Sequence, residues 1–159
     1  MPKELSASVQ KVQQTLKSLG FPGEVVVFPD STRTAVEAAQ AVGCQVGQIV
    51  KSLVFRGKET RKPILVEASG ANRVNERQLA QLVSEPIEKA DADFVRQVTG
   101  FAVGGVPPVG HAQEITTFID ADLFQYEIIW AAAGSPHAVF RLTPDDLQKL
   151  TGGSVVSIS

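Results

Sequence analysis

Residues 100–111 read Gly-Phe-Ala-Val-Gly-Gly-Val-Pro-Pro-Val-Gly-His, four glycines and two prolines in twelve positions. Proline removes a backbone donor and fixes φ, and glycine has no Cβ, so neither a helix nor a sheet ladder runs through such a stretch. The segment therefore divides the chain. Before it, helical and strand periodicities alternate; after it, strand patterns dominate. Two readings stand on the loop alone: an irregular turn between strands, or a stiff loop that aims backbone amides at a ligand. It has neither the Gly-x-Gly-x-x-Gly spacing after a strand nor the Lys-Ser/Thr of a P-loop, so dinucleotide binding and phosphate transfer gain no support.

The flanking patterns define a mixed α and β chain. Val9, Val12 and Leu16 at helical spacing predict a helix over residues 6–18, stopped by Gly20. Residues 24–28 read as a strand. Thr34 and Glu37 have the spacing of a capping box ahead of an alanine-rich helix that ends near Gly43. A strand pair is expected at 49–55 and 63–68, joined by a polar turn containing Gly57, and Asn75 with Gln78 marks another helix start. Strands are expected at 116–120, 127–132 and 137–142. Thr143-Pro144-Asp145-Asp146 opens a last helix, with threonine as cap, proline in the first turn and acids where the helix dipole favours them; residues 154–158 close as a strand.

With 159 residues, a formal net charge of −2 and 43% hydrophobic residues, the chain suits one domain, residues 1–159. No apolar run of membrane-spanning length and no basic start leading into an apolar signal stretch occurs, so a cytoplasmic protein without a membrane partner is expected. Cys44 is a lone cysteine, and with only His111 and His137 as imidazoles no structural zinc cluster and no cofactor is expected. Cys44 reads as a small apolar residue.

One residue disturbs the strand at 49–55. Alternation puts Lys51 on the face of Ile49, Leu53 and Phe55, where an unpaired ammonium must snorkel to water, find a partner, or border a cavity that receives an anionic or carbonyl group. The glycines of the 100–111 loop and the small residues of Ala131-Ala132-Ala133-Gly134-Ser135 are the natural walls of such a cavity.

Taken in order, Thr34-Ala35-Val36-Glu37-Ala38-Ala39, Gln48-Ile49-Val50-Lys51-Ser52-Leu53-Val54-Phe55, Gly104-Gly105-Val106-Pro107-Pro108-Val109-Gly110, Gly134-Ser135 and Leu142-Thr143-Pro144-Asp145-Asp146-Leu147 resemble the YbaK-type family. These are stand-alone relatives of the editing insertion of bacterial prolyl-tRNA synthetase. The resemblance runs from about residue 24 to the C-terminus and implies that the first helix, about residues 6–18, is an N-terminal addition. It implies an α+β fold, a mixed, barrel-like β-sheet flanked by helices, and an aminoacyl-tRNA deacylase that hydrolyses, in trans, the ester of a mischarged tRNA. Lys51 takes the place of the family's central lysine, with Gly104 and Gly105 as the amides of the catalytic loop. Gly100, Phe101, Val103, Val106, Pro107, Gly134, Ser135 and His137 are the expected substrate contacts. On this view a water is oriented by backbone groups and a ribose hydroxyl, Lys51 stays protonated, and loop amides meet the oxyanion. A neutral Lys51 acting as base is the alternative.

Where the cysteinyl-tRNA branch of that family has Arg-Gly after Gly-Ser, this chain has Pro136-His137, which points away from cysteine, while Ala102, Val103, Val106, Ala131 to Ala133 and Gly134 suggest a pocket for a small amino acid of the Ser/Thr/Ala class. His137 stands either as a substrate contact or as a hydrogen-bonder of the scaffold. The implied partner is a tRNA acceptor end carrying an amino acid, with an aminoacyl-tRNA synthetase as a further one. The net charge gives no global pull on tRNA, so attraction must be local. Arg56, Lys58, Arg61, Lys62, Arg73 and Arg77 form either that surface or a solvated hairpin tip. A non-catalytic binder of an aminoacyl end or small amino acid, and a synthetase-associated adaptor, are the competing functions.

Overall fold

In the computed structural model, residues 6–21 and 24–159 are described. The elements in chain order are α1 (Ala7–Ser18), β1 (Val25–Val27), α2 (Ala35–Val42), β2 (Ile49–Gly57), β3 (Pro63–Ser69), α3 (Glu76–Val83), β4 (Ile87–Lys89), α4 (Ala92–Thr99), β5 (Thr116–Asp120), β6 (Ile129–Ala132), β7 (Ala138–Leu142), α5 (Pro144–Thr151) and β8 (Ser154–Val156). The helix signals in the sequence are the caps observed. Ser6, Asn75 and Asp91 accept from the backbone at their helix starts, and Thr34 with Glu37 and Thr143 with Asp146 close reciprocal capping boxes. Gly43, Gly100 and Gly152 end α2, α4 and α5 in the left-handed conformation.

The eight strands form one mixed sheet in the order β1-β7-β6-β2-β3-β5-β8, with β4 added against β2. The fold is thus α+β with a mixed sheet flanked by helices, and the ladder runs as an open path from β1 to β8. Hairpin neighbours β2 and β3, and β6 and β7, pair antiparallel, while β2 with β6, β3 with β5 and β5 with β8 pair parallel. On one face, Val9, Val12 and Leu16 of α1 pack into a cluster with Val50, Val54, Leu65, Phe101, Val106 and Phe140. On the other, Leu79 of α3 covers Phe55, Ile64, Val66 and Ala68. Small side chains let α2 lie close, with Ala38 and Ala39 against Ile49. The sequence reading had no element at β4 or α4. β4 is three residues long with one buried apolar side chain, Ile87, too short to establish a period, whereas α4, as long as α3 and α5, carries an Asp91 cap, Val95 and Val98 at helical spacing and a Gly100 stop that the sequence reading passed over.

Gly134 ties the fold to its first helix. Its φ is +98°, and a Cβ built there would sit 2.7 Å from the Ser8 carbonyl oxygen of α1. Gly134→Ala is therefore expected to lower stability by about 2 kcal/mol through backbone strain and displacement of α1. Urea unfolding of the two proteins checks this, and coincident midpoints would refute it.

Candidate active site

The site is built where β2 changes neighbours. β6 pairs with β2 only at Ile49 and Val50, and β4 joins only from Phe55 onward. The Ile49 carbonyl accepts from the Gly70 N–H (2.7 Å) on the β3 side, whereas the Val54 carbonyl accepts from the Ala90 N–H (3.1 Å) on the opposite side. Alternation then turns the backbone N–H and C=O of Ser52 toward the edge that β6 has left and β4 has not reached. Polar backbone opening onto a gap is an incomplete ladder, and a ligand there would complete it.

A two-lobed cleft straddles the gap. The larger lobe, about 520 Å³, lies between β2 and Arg73, Val74, Lys89 and Val95. The smaller, about 350 Å³, is walled by Thr32, Ala35, Ala38, Ile49, Trp130 and Ala131. Lys51, Ser52, Leu53, Val103, Gly104 and Val106 border both lobes. Lys51 thus sits at a cavity, half-buried, and its Nζ donates to the Asn72 carbonyl oxygen at 2.6 Å. Burial pushes its pKa below the ordinary lysine value, Asp120 opposes that shift, and Arg73 adds to it. The carbonyl it grips is itself fixed. Asn72 Nδ2 donates to Asp120 Oδ2 (2.9 Å) and Asp122 Oδ2 (2.7 Å), and the buried Asp120 also accepts from the Ser69 N–H (3.0 Å).

The other sequence-nominated residues divide into cleft wall and support. Val103, Gly104 and Val106 line the cleft, with Val103 48% exposed at its rim. Gly105 does not, because its N–H donates to the Ala102 carbonyl and its Cα lies so close to Ser135 that a Cβ would come within 2.8 Å of backbone. That leaves Gly104, with φ +92°, as the loop glycine facing both lobes. Gly100 caps α4, Phe101 is buried beneath Lys11, and the Pro107 carbonyl lies 2.7 Å from His111 Nε2. Gly134 donates to the Gly105 carbonyl, and Ser135 Oγ accepts from the His137 N–H. His137 Nδ1 lies 3.0 Å from the Asp30 carbonyl oxygen. With the Pro136 carbonyl accepting from Thr32, this turn holds the loop ahead of α2 in place. Of the basic cluster, Arg56 is paired with Glu88 at 2.6 Å and stacked over Phe94, whereas Arg73 lines the cleft.

Sequence reasoning missed four participants. Arg33 lays its aliphatic stem against Gly104, and Asn72 with Asp120 anchors Lys51. The fourth is Glu67, on β3 opposite Ser52 and fully buried. Ser52 Oγ lies 2.7 Å from Glu67 Oε2, while Oε1 has no partner among the described residues. Burial raises the Glu67 pKa to about 8, against a smaller lowering by Ser52. A glutamate in an alternating strand gives one signal, a carboxylate on the face of Leu65, and that signal was there to read.

With a lysine held at a break in the sheet beside a glycine loop, the site can bind a carbonyl or anionic oxygen and stabilise charge that develops on it. The chain belongs to the aminoacyl-tRNA editing domain family, whose model matches residues 29–150. That makes it a hydrolase of the aminoacyl-tRNA deacylase class. A solved structure described as a proposed trans-editing enzyme for prolyl-tRNA synthetase is 48% identical, superimposes with a TM-score of 0.93, and is matched over 98% of this chain and 99% of that one. The proposed Cys-tRNA(Pro)/Cys-tRNA(Cys) deacylase EbsC of Enterococcus faecalis is 26% identical over 79% of this chain and 77% of its own length. A proline–tRNA ligase of Thermoanaerobacter is 30% identical over 72% of this chain, which corresponds to 20% of that enzyme. Helix α1 lies outside the residues matched by the family model.

Glu67 gives the site a signature in stability. Below its ordinary value of 4.5 the acid is protonated folded or unfolded; between 4.5 and about 8 the folded protein keeps a proton that the unfolded chain has released. Stability attributable to Glu67 therefore falls as pH rises through that window, by up to about 1.4 kcal/mol per pH unit, and levels off above it. Glu67→Gln carries no such proton, so its urea-unfolding free energy is expected to depend less steeply on pH across the window. Parallel pH profiles for the two proteins would show that Glu67 is ionised in the fold.

Proposed function

We propose that this protein edits in trans, hydrolysing the ester that joins a small amino acid of the Ser/Thr/Ala class to the 3′ end of a tRNA. The observation that carries the reading is the position of Lys51 and Gly104 at the junction of the two lobes. An ester carbonyl placed there has the aminoacyl side chain in the smaller, alanine-lined lobe and the terminal adenosine in the larger one, beside Arg73 and Lys89. Water attacks the carbonyl carbon, and the electron pair of the C=O moves onto oxygen, where the Lys51 ammonium and the Gly104 N–H receive it. As the carbonyl re-forms, the bond to the ribose oxygen breaks and that oxygen takes up the proton that the attacking water gives up. The products are the free amino acid and tRNA. The neighbouring ribose hydroxyl orients the water, so positioning substitutes for a dedicated protein base.

A protonated Lys51 fits the carbonyl it grips and the nearby Asp120, both of which favour the charged form. The preference for small side chains rests on Ala35, Ala38, Ala131 and Ala132, since Ser135 and His137 line neither lobe. The prolyl-tRNA synthetase named with the 48% identical structure supports a synthetase of that kind as working partner, and the reading places the protein in the cytoplasm.

Lys51→Ala is expected to fold and to deacylate at least about tenfold more slowly, roughly 1.4 kcal/mol of transition-state stabilisation. Single-turnover rates with mischarged tRNAs test this, and an unchanged rate in a folded variant removes Lys51 from the mechanism. Across the same panel, seryl-, threonyl- and alanyl-tRNA should be cleaved faster than phenylalanyl- or tyrosyl-tRNA. Discrimination among the small ones should be modest, because a methylene in such a pocket is worth only about 1–3 kcal/mol. Equal rates on the aromatic esters would refute the size argument, rapid turnover of cysteinyl-tRNA alone would assign the substrate named for EbsC, and saturable binding without turnover would make the protein a binder.

A further inference from the structure

Beneath the cleft lies an acid that the proposed hydrolysis does not use. Glu67 is fully buried and borders neither lobe, and its only hydrogen-bond partner among the described residues is the hydroxyl of Ser52. Ser52 borders both lobes, is half-buried, and already turns its backbone toward the gap in the sheet. We propose that Ser52 is a substrate-contacting residue of this cleft, and that Glu67, as a neutral acid, is the positioning residue that turns the Ser52 hydroxyl proton toward the substrate.

The argument is one of donors and acceptors. A neutral carboxyl has one proton to place, and here one neighbour to receive it. If Ser52 donated to neutral Glu67, the acid's own O–H would be left buried without an acceptor. If Glu67 donates to Ser52 Oγ instead, the orphan is a carbonyl oxygen, which interiors tolerate better, and the serine O–H is released to point elsewhere. The cleft is the open direction. Ionised Glu67 reverses this: the serine proton is drawn onto the carboxylate and withdrawn from the substrate.

Among the described residues nothing charged compensates the acid where it lies. Its face of the sheet meets Leu65, Val50, Val54 and Ile119. The ionisable neighbours on the adjacent strands, Lys51 on β2 and Asp120 on β5, alternate to the opposite face, and Arg33, Arg73 and Lys89 stand at the cleft wall. None of them contributes to the displacement of Glu67, which comes from burial and Ser52 alone. The group is therefore neutral near pH 7 and ionises around pH 8.

This inference rests on the deacylase reading, and the experiment separates the two. Single-turnover deacylation of seryl-tRNA is measured from about pH 6.5 to about pH 9 for the wild type, Glu67→Gln, Ser52→Ala and the double variant, with uncatalysed hydrolysis subtracted at each pH. No enzymatic turnover by the wild type sinks the deacylase reading and the inference with it. Given turnover, Ser52→Ala is expected to be about tenfold slower at neutral pH, and Glu67→Gln, whose amide has no titrating proton, is the reference against which the pH profile is read. The wild-type rate relative to Glu67→Gln should then fall about tenfold by pH 9, following loss of the neutral acid. In the Ser52→Ala background that ratio should stay flat, because no hydroxyl remains to be turned. A flat ratio in the wild type, or a Ser52→Ala rate equal to wild type, overturns the proposal, as does a shift in unfolding midpoints with no change in pH profile. Difference infrared spectroscopy reads the acid without relying on activity: a protonated-carboxyl band missing in Glu67→Gln should titrate near pH 8, and its disappearance below pH 6 refutes the neutral acid.

Discussion

The site depends on an unfinished strand pairing. β2 is shared by three neighbours along its length: β6 at its start, β4 at its end and β3 throughout. The four residues between the β6 and β4 contacts, Lys51 to Val54, keep a strand partner on one side only. In a closed sheet those residues would be core; here they are the floor of a cleft. A missing stretch of ladder exposes polar backbone at a position that is otherwise deep in the protein, which is where binding energy for a polar ligand is available and water is scarce. Each other feature of the site follows from filling or framing that gap.

The framing is done mainly by backbone. Gly105 packs against the Ser135 backbone and Gly134 against α1, and the Gly134 N–H donates to the Gly105 carbonyl, so two glycine turns and the first helix form one contact chain behind the cleft. Pro136 and His137 extend it to the loop before α2 through Thr32 and Asp30. That arrangement explains why the sequence is so rich in glycine and proline at two distant places. Close approach of main chain to main chain needs residues without side chains, and a rigid rim needs few rotatable positions.

Much of this was legible beforehand, and the reasons differ by residue. The helix ends at Thr34 and Thr143 were readable because caps are local chemistry written in adjacent residues. Lys51 was readable because a cation breaks an apolar alternation. Ser135 and His137 looked like substrate contacts because proximity in sequence to a small-residue strand resembles proximity to a pocket; in space the Ser135 hydroxyl accepts from the His137 N–H and His137 Nδ1 meets the Asp30 carbonyl. α4 was legible in its Asp91 cap, its Val95 and Val98 spacing and its Gly100 stop but was not read, whereas β4 escaped because a three-residue strand is set by tertiary contacts, which a sequence pattern does not contain. Asn72 and Asp120 escaped for the same reason: they meet Lys51 only through the fold, 21 residues away along the chain in the case of Asn72.

Burial disfavours the charged form at both Lys51 and Glu67 but to different depths, and the contrast accounts for how an acidic protein can present a cationic cleft. The chain carries a net charge of −2, so recognition of an anionic partner cannot come from its overall field. Lys51 is only half-buried: burial lowers its pKa and Arg73 adds to that, while Asp120 opposes the shift and the Asn72 carbonyl oxygen, at 2.6 Å, accepts from the amine. Glu67, one strand over, is fully buried with no charged group among the described residues shifting its pKa, so burial makes the neutral acid its lower-energy form near pH 7. A carboxylate at that depth would act on the cleft through a medium of low dielectric and offset the attraction that Lys51, Arg33, Arg73 and Lys89 provide. Its neutrality removes that opposition while keeping a hydrogen-bonding group under Ser52. An apolar residue at position 67 would remove the opposition equally well but would leave the serine hydroxyl without a directing partner, and it is this second property that distinguishes a buried glutamate from a leucine in the same place.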